Sequence, residues 1–288
     1  MPASNPSRVW FITGASTGFG RLLAEDLLHR GERVIATARD LPKVADLAKQ
    51  YPDQARAFAL DVTNPAQITS VAKQAIAAFG QVDVLVNNAG YGLNGAIEEV
   101  SEDEFEPMLQ TNIYGVIRTT RAFLPHFRQR RSGHIVNFSS ISGLIGSAGW
   151  GYYNASKFAV EGFSEALADE LKPLGIRVTV IEPGPFRTDF LGRSGKLAKL
   201  ELPDYAKTAG KAREYLKTQA GKQPGDPQKA VEAVINVVDS PNPPLHLILG
   251  NIALKRFRDK LSQWQKEIAA WESITTNADF QEVEKRAS

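Results

Sequence analysis

Short apolar runs rich in β-branched residues alternate along the chain with longer stretches whose apolar residues recur every three or four positions. The runs fall at 9–12, 33–37, 57–60, 82–86, 134–138 and 177–181. Helical periodicity fills the segments between them, most clearly over 21–29, 65–79, 101–130 and 152–174. Strands that are apolar throughout, rather than alternating, are covered on both faces. Strand–helix alternation requires crossover connections, which are right-handed. The pattern therefore predicts a doubly wound parallel α/β sheet of Rossmann type.

After Pro183 the rhythm changes. The segment 186–226 is rich in glycine and lysine, with one amphipathic helix predicted over about 204–218, and reads as a substrate-binding loop or lid. Regularity returns with a helix over 227–238, a strand over 245–249 and a C-terminal helical extension over 251–288. In that extension Phe257, Leu261, Trp264, Ile268 and Trp271 recur at three- and four-residue spacing and are expected to be core. There is no internal repeat, so residues 1–288 read as a single domain.

Composition narrows the chemistry. The 288 residues carry a formal charge of +2, with 43% hydrophobic and 23% charged side chains. That balance gives no reason to expect a nucleic-acid or anionic-membrane partner. The absence of cysteine excludes disulfides, thiolate catalysis and cysteine-ligated zinc or iron–sulfur centres. The histidines, His29, His126, His134 and His246, show no ligand-pair spacing, so no metal is expected. Residues 1–8 lack the features of a signal peptide, and the uncharged stretch 135–156 is too interrupted by Asn, Ser and Gly to span a membrane. A cytoplasmic protein is the expectation.

Immediately after the first strand comes Thr13-Gly14-Ala15-Ser16-Thr17-Gly18-Phe19-Gly20, leading into a helix. Backbone N–H groups and the helix dipole at such a junction form an anion site, and glycine lets a pyrophosphate approach. An acidic residue at the end of the second strand would bind the ribose of NAD. Here that strand runs Ala36-Thr37-Ala38-Arg39, and a guanidinium suits a 2′-phosphate. NADP(H), rather than NAD(H), is therefore expected, held in part by Arg39. Further on, Tyr153 and Lys157 are four residues apart on one helical face. A cation there would lower the phenol pKa and equip Tyr153 to exchange a proton while hydride moves to or from a nicotinamide.

Across roughly residues 8–190, these motifs in their order resemble the short-chain dehydrogenase/reductase family. They include Asp61-Val62, Asn87-Asn88-Ala89-Gly90, Asn112-x-x-Gly115, Ser140 thirteen residues before Tyr153, and Pro183-Gly184-x-x-x-Thr188. The resemblance implies that Tyr153 is the general acid or base and that Lys157 lowers its pKa and bonds the nicotinamide ribose. It implies that Ser140 steadies the substrate oxygen and that Asn112 holds a water of a proton relay. Gly14, Ser16, Thr17, Gly18, Phe19, Gly20, Asp61, Val62, Asn88, Ala89, Gly90, Pro183, Gly184 and Thr188 would line the cofactor. Asp61 has an alternative reading as the N-cap of the following helix. Association into homodimers or homotetramers is also implied.

Tyr91, Ser142, Leu144, Trp150, Phe186 and Phe190 are expected to form a mostly apolar pocket for a small, lipophilic carbonyl or alcohol. Arg187, Arg193, Lys196 and Lys199 keep an anionic substrate open. A catalytically silent NADP(H) sensor is the rival reading, disfavoured because both Tyr153 and Lys157 are present.

Overall fold

The computed structural model describes residues 7–192 and 194–280. The chain opens with β1 (Val9–Ile12), α1 (Gly18–His29), β2 (Arg33–Ala38), α2 (Pro42–Gln50), β3 (Ala55–Ala59), α3 (Pro65–Phe79) and β4 (Val84–Asn87). A three-residue strand, β5 (Gly92–Asn94), precedes α4 (Glu102–Leu109), a π-turn (Gln110–Tyr114), α5 (Gly115–Arg130) and β6 (Gly133–Phe138). The remaining elements are α6 (Gly151–Leu171), β7 (Ile176–Pro183), β8 (Gly195–Leu197), α7 (Ala209–Gln219), α8 (Pro227–Asp239), β9 (His246–Leu249) and α9 (Asn251–Thr276).

Seven strands form one parallel sheet in the order β3-β2-β1-β4-β6-β7-β9. The apolar strand pattern explains why both faces are covered. Trp10 and Ile12 pack into one layer with Leu23 and Leu27 of α1 and Val231, Val234 and Val238 of α8. Val9 and Phe11 enter the opposite layer with Val71 of α3, Phe123 and Phe127 of α5, and Leu167 and Leu171 of α6. Alternate residues of one short strand thus serve two layers, each large side chain contributing about 1.5–3 kcal/mol by its burial. The chain winds outward from β1 to β3 and returns on the other side at β4. The crevice at the carboxyl ends of β1 and β4 is the switch point where ligands bind in such sheets.

Three features depart from the sequence expectations. The helix expected over 101–130 is interrupted by the π-turn, which carries Asn112. A second, two-stranded sheet pairs β5 with β8, and so folds part of the 186–226 segment onto the body. Finally, the apolar stripe of α9 is not core. Only Ala253 of that helix is buried, and Leu261, Trp264, Ile268 and Trp271 are exposed. Periodicity marks an apolar face, but it does not say whether the chain supplies something to cover it. Among the described residues no helix is long and apolar enough to cross a membrane.

Candidate active site

At the switch point the backbone leaves β1 through Thr13, whose hydroxyl accepts from the amides of Asn88 and Ala89, both at 3.0 Å. The Asn88 carboxamide returns the link by donating to the carbonyls of Thr13 and Gly14, again at 3.0 Å. The glycine turn is therefore fastened to the loop after β4. Gly14 and Gly18 adopt left-handed φ values of 68° and 55°, a region that favours glycine. A Cβ on Gly20 would stand 2.5 Å from both Asn88 Nδ2 and Gly14 O.

The start of α1 is open. Thr17, at the N-cap, makes no side-chain capping bond, and the first turn holds no acidic residue. Helix N-terminal amides without such partners, together with the dipole, make an anion site. The turn therefore fits a dinucleotide pyrophosphate, with Ser16, Thr17, Gly18 and Phe19 around it. Arg39 is exposed just beyond β2, and its charge reaches the Tyr91 phenol. The neighbouring Asp40 pairs with Lys43 at 3.2 Å. Asp61 Oδ1 accepts from the amide and hydroxyl of Thr63, at 2.9 and 2.7 Å, while Asn64 caps α3. Asp61 is thus not the cap of that helix, and buried Val62 packs where a Cβ on Gly115 would intrude at 2.8 Å.

The candidate catalytic side chains converge from three places in the fold. Tyr153 and Lys157 lie on the buried face of α6, Ser140 follows β6, and Asn112 sits in the π-turn. Fully buried Asn112 accepts from Tyr91 N at 3.1 Å and donates to Tyr91 O at 2.9 Å and Ser156 Oγ at 3.1 Å. A Cβ on Gly90 would lie 3.1 Å from Asn112 Oδ1 and 3.6 Å from Lys157 Nζ, so this loop passes directly over both. The Lys157 ammonium donates to Phe138 O at 2.8 Å and stands 5.8 Å from the centre of the Tyr153 ring. Ser140 Oγ accepts from Ser142 N at 3.1 Å and hydrogen-bonds the Tyr153 phenol.

Burial governs both titrating groups. It pushes the Tyr153 phenol above its ordinary 10, and the Ser140 hydrogen bond opposes this only in part. Burial also pulls Lys157 down from 10.5 to about 8, against the nearby carboxylate of Glu161. The ammonium is turned to the Phe138 carbonyl, and desolvation dominates.

An aromatic wall surrounds the phenol. Ring centres of Trp150 and Phe190 lie 5.7 and 5.5 Å from that of Tyr153, and 6.3 Å from each other. Tyr91 packs at the same cluster, and Lys196 lies 4.6 Å above its ring. Ser142 and Leu144 flank the site in the loop after Ser140, half-buried. Phe186 does not join this wall. Its backbone bridges to Gly225, and its ring packs on Phe19, 5.5 Å away, beside the glycine turn. Thr188 comes from the same segment, its Cβ 3.8 Å from where a Gly18 Cβ would stand, and Gly184 packs against Ala253. Arg187 donates to Gln223 O at 3.3 Å, and Arg193 lies outside the described residues.

Several buried polar contacts around the candidate site were not read from the sequence. Asn87 donates to Thr120 Oγ1 and Asn137 Oδ1, and Asn137 to Ser164 Oγ, linking β4, α5, β6 and α6 through a buried polar network. Buried Arg213 of α7 pairs with buried Glu99 at 3.0 Å and donates to the carbonyls of Ala198 and Leu200. Glu99 also accepts from the amides of Ala96 and Leu202, so despite burial its pKa is held below 4.5. Behind Lys157, His246 bonds Glu182 at 2.7 Å and approaches Glu161 at 3.5 Å. Ligand atoms of these three residues lie within 4.8 Å of one another, and a protonated imidazole supplies the positive charge between two buried carboxyls. Their spacing of 21 and 64 residues leaves no local motif. The one available signal was Glu161, one helical turn after Lys157.

A doubly wound sheet with a glycine-rich turn at its switch point, beside a buried tyrosine and lysine, defines a nicotinamide-dependent oxidoreductase fold. The chain matches the short chain dehydrogenase family over residues 8–197 and belongs to it. It is therefore an oxidoreductase of the class that interconverts CH–OH and C=O groups. It is 39% identical to oxidoreductase BOA17 of Botryotinia fuckeliana over 251 residues, 86% of this chain and 91% of that protein. It is 35% identical to a 3-ketodihydrosphingosine reductase of Bacteroides thetaiotaomicron, over 89% of this chain and 93% of that one. The crystal structure of a short-chain dehydrogenase from Streptomyces avermitilis matches with a TM-score of 0.89 at 42% identity, covering 96% of this chain and 100% of the other. Solved neighbours include a Sphingobium yanoikuyae enzyme in complex with NADPH (TM-score 0.71, 26% identity, 91% and 95% covered) and a Burkholderia phymatum protein in complex with NAD (0.79, 24%, 91% and 95%).

Proposed function

We propose that this protein is an NADP(H)-dependent reductase or dehydrogenase for a lipophilic ketone, aldehyde or alcohol. The observation that carries the reading is Tyr153, a buried phenol hydrogen-bonded to Ser140 and walled by Trp150 and Phe190. A carbonyl oxygen placed between the Ser140 hydroxyl and the phenol would receive one hydrogen bond from each. NADPH, when bound, supplies the hydride to the carbonyl carbon. Tyr153 donates its proton to the oxygen as charge develops there, and its raised pKa keeps it protonated until then. The Lys157 ammonium stabilises the phenolate left behind, and Ser140 stabilises the developing oxyanion. Asn112, tied to Tyr91 and Ser156, holds the loop over Lys157 in place.

The apolar wall favours a substrate with a hydrophobic body, in keeping with the 3-ketodihydrosphingosine in the name of the Bacteroides relative. Arg39 favours NADPH, because a guanidinium beside the adenosine ribose binds a 2′-phosphate. The Asp61 carboxylate faces the same edge of the sheet and would accept from the adenine amino group. Thr188 would bind the nicotinamide carboxamide.

The test is NADPH oxidation against lipophilic ketones and aldehydes, comparing the wild type with Tyr153→Phe. Turnover that vanishes in the variant, with NADPH affinity retained, is the expected result. Turnover that survives Tyr153→Phe would show that another group gives the proton. Tight NADPH binding with no turnover on any substrate would favour the sensor reading.

A further inference from the structure

Helix α9 is 26 residues long, and only its first turns rest on the body of the protein. Leu254, Phe257, Leu261, Trp264, Ile268 and Trp271 follow one another at alternating spacings of three and four. This is the spacing that a coiled-coil seam requires. Ile268 and Trp271 are 63% and 62% exposed, and Trp264 is half exposed. Such a continuous stripe of large apolar side chains is what an uncovered interface looks like.

Charge along the helix discriminates between the surfaces that could cover it. Residues 251–260 hold Lys255, Arg256, Arg258 and Lys260 against Asp259, a net +3, whereas residues 266–279 hold Glu267, Glu272 and Asp279 against Lys266, a net −2. An anionic lipid surface would repel the distal half, which carries the most exposed part of the stripe. A second, antiparallel copy of the same helix sets the basic half of each beside the acidic half of the other. With the two-fold axis between Leu261 and Trp264, Leu261 meets the partner's Trp264 and Phe257 meets the partner's Ile268. Lys260 and the partner's Glu267 then flank the seam, twice by symmetry.

We propose that α9 is a self-association element through which two copies of this chain pair in antiparallel fashion along the Leu254–Trp271 stripe. The pairing also bears on the candidate active site. Lys260 donates to the Leu144 carbonyl and lies 4.3 Å over the Trp264 ring, so this helix braces the loop that carries Ser142 and Leu144. An open groove of about 490 Å³ separates α9 from Ile145 and Gly146 on that side.

The experiment is sedimentation of the full chain at micromolar concentration. Ile268→Glu/Trp271→Glu should halve the assembly mass while leaving the circular dichroism spectrum and NADPH binding unchanged. Glu267→Lys/Glu272→Lys should weaken association at least tenfold, and adding Arg258→Glu/Lys260→Glu to the same chain should restore it. An unchanged mass in the Ile268/Trp271 variant overturns the proposal. So does a mass insensitive to the charge reversal, the outcome for parallel helices. Stripe-dependent binding of the wild type to phosphatidylserine/phosphatidylcholine vesicles, with no loss of mass in the variants, overturns it in favour of a membrane surface.

Discussion

The Lys157 ammonium donates to the Phe138 carbonyl at 2.8 Å, which fixes a buried cation at the end of β6 beside the Tyr153 ring. Burial draws its pKa down to about 8, so the lysine changes charge within the working range of an enzyme assay. Tyr153 is shifted the other way and stays protonated across that range. Reduction needs the phenol as acid and the ammonium beside it. We therefore expect kcat/KM for NADPH-dependent reduction to be level below pH 8 and to fall about tenfold per pH unit above it. Lys157→Met should abolish most turnover at every pH, and a pH–rate profile of both proteins checks this.

Gly20 has no room for a side chain, since a Cβ would stand 2.5 Å from Asn88 Nδ2 and Gly14 O. Gly20→Ala must displace the turn or break the Asn88 bonds to Thr13 and Gly14. If that overpacking cost of about 1–3 kcal/mol falls on the bound turn, it corresponds to a roughly five- to 150-fold loss of NADPH affinity. Titration of nucleotide fluorescence measures it, and unchanged affinity would place the pyrophosphate elsewhere.

Arg39 is exposed and free to turn toward a ligand at the end of β2. A charge-assisted bond is worth about 1.5–3 kcal/mol, so Arg39→Ala should weaken NADPH by about ten- to hundredfold and leave NADH nearly unaffected. The ratio of the two dissociation constants is the readout.

The Glu99–Arg213 pair anchors the segment between β8 and α7 to the loop after β5. Both partners are buried, and removing one strands the other's charge. Arg213→Met should cost about 3–5 kcal/mol. Hydrogen exchange should show the loss first at residues 195–219, and KM for substrate should rise more than that for NADPH.

His246 sits between Glu161 and Glu182, and their hydrogen bonds raise its pKa from 6.5 to about 10. Burial raises Glu182, and the His246 hydrogen bond opposes that rise. A folded-state pKa above the unfolded value adds stability that is complete below pH 6.5 and is lost as pH rises through about 10. The melting temperature of wild type relative to His246→Gln should therefore be highest below pH 6.5 and converge above pH 10. A difference independent of pH would show that His246 acts only by packing.

Much of the site was legible because local rules write it into short segments. A strand, a glycine turn and a helix start are contiguous at 9–20. Tyr153 and Lys157 share a helical face because four residues make about one turn. What stayed hidden depends on distant segments. The π-turn at Asn112 reads as ordinary helix, since what holds it is the Asn112 bonding to Tyr91 and the approach of Val62 to Gly115. Phe186 and Phe190 look alike in sequence, yet a bridge to Gly225 sends one to the glycine turn and a short turn sends the other to Tyr153.

The sequence by itself determined the alternation of strands and helices, the glycine-rich turn and the tyrosine–lysine pair, because each rests on backbone geometry or periodicity within one or two elements. The tertiary structure decided how deeply Tyr153 and Lys157 are buried, how the 195–219 segment is anchored, and that the apolar stripe of α9 is left uncovered. Those outcomes depend on desolvation and on partners brought from across the chain, and no local pattern of residues carries that information.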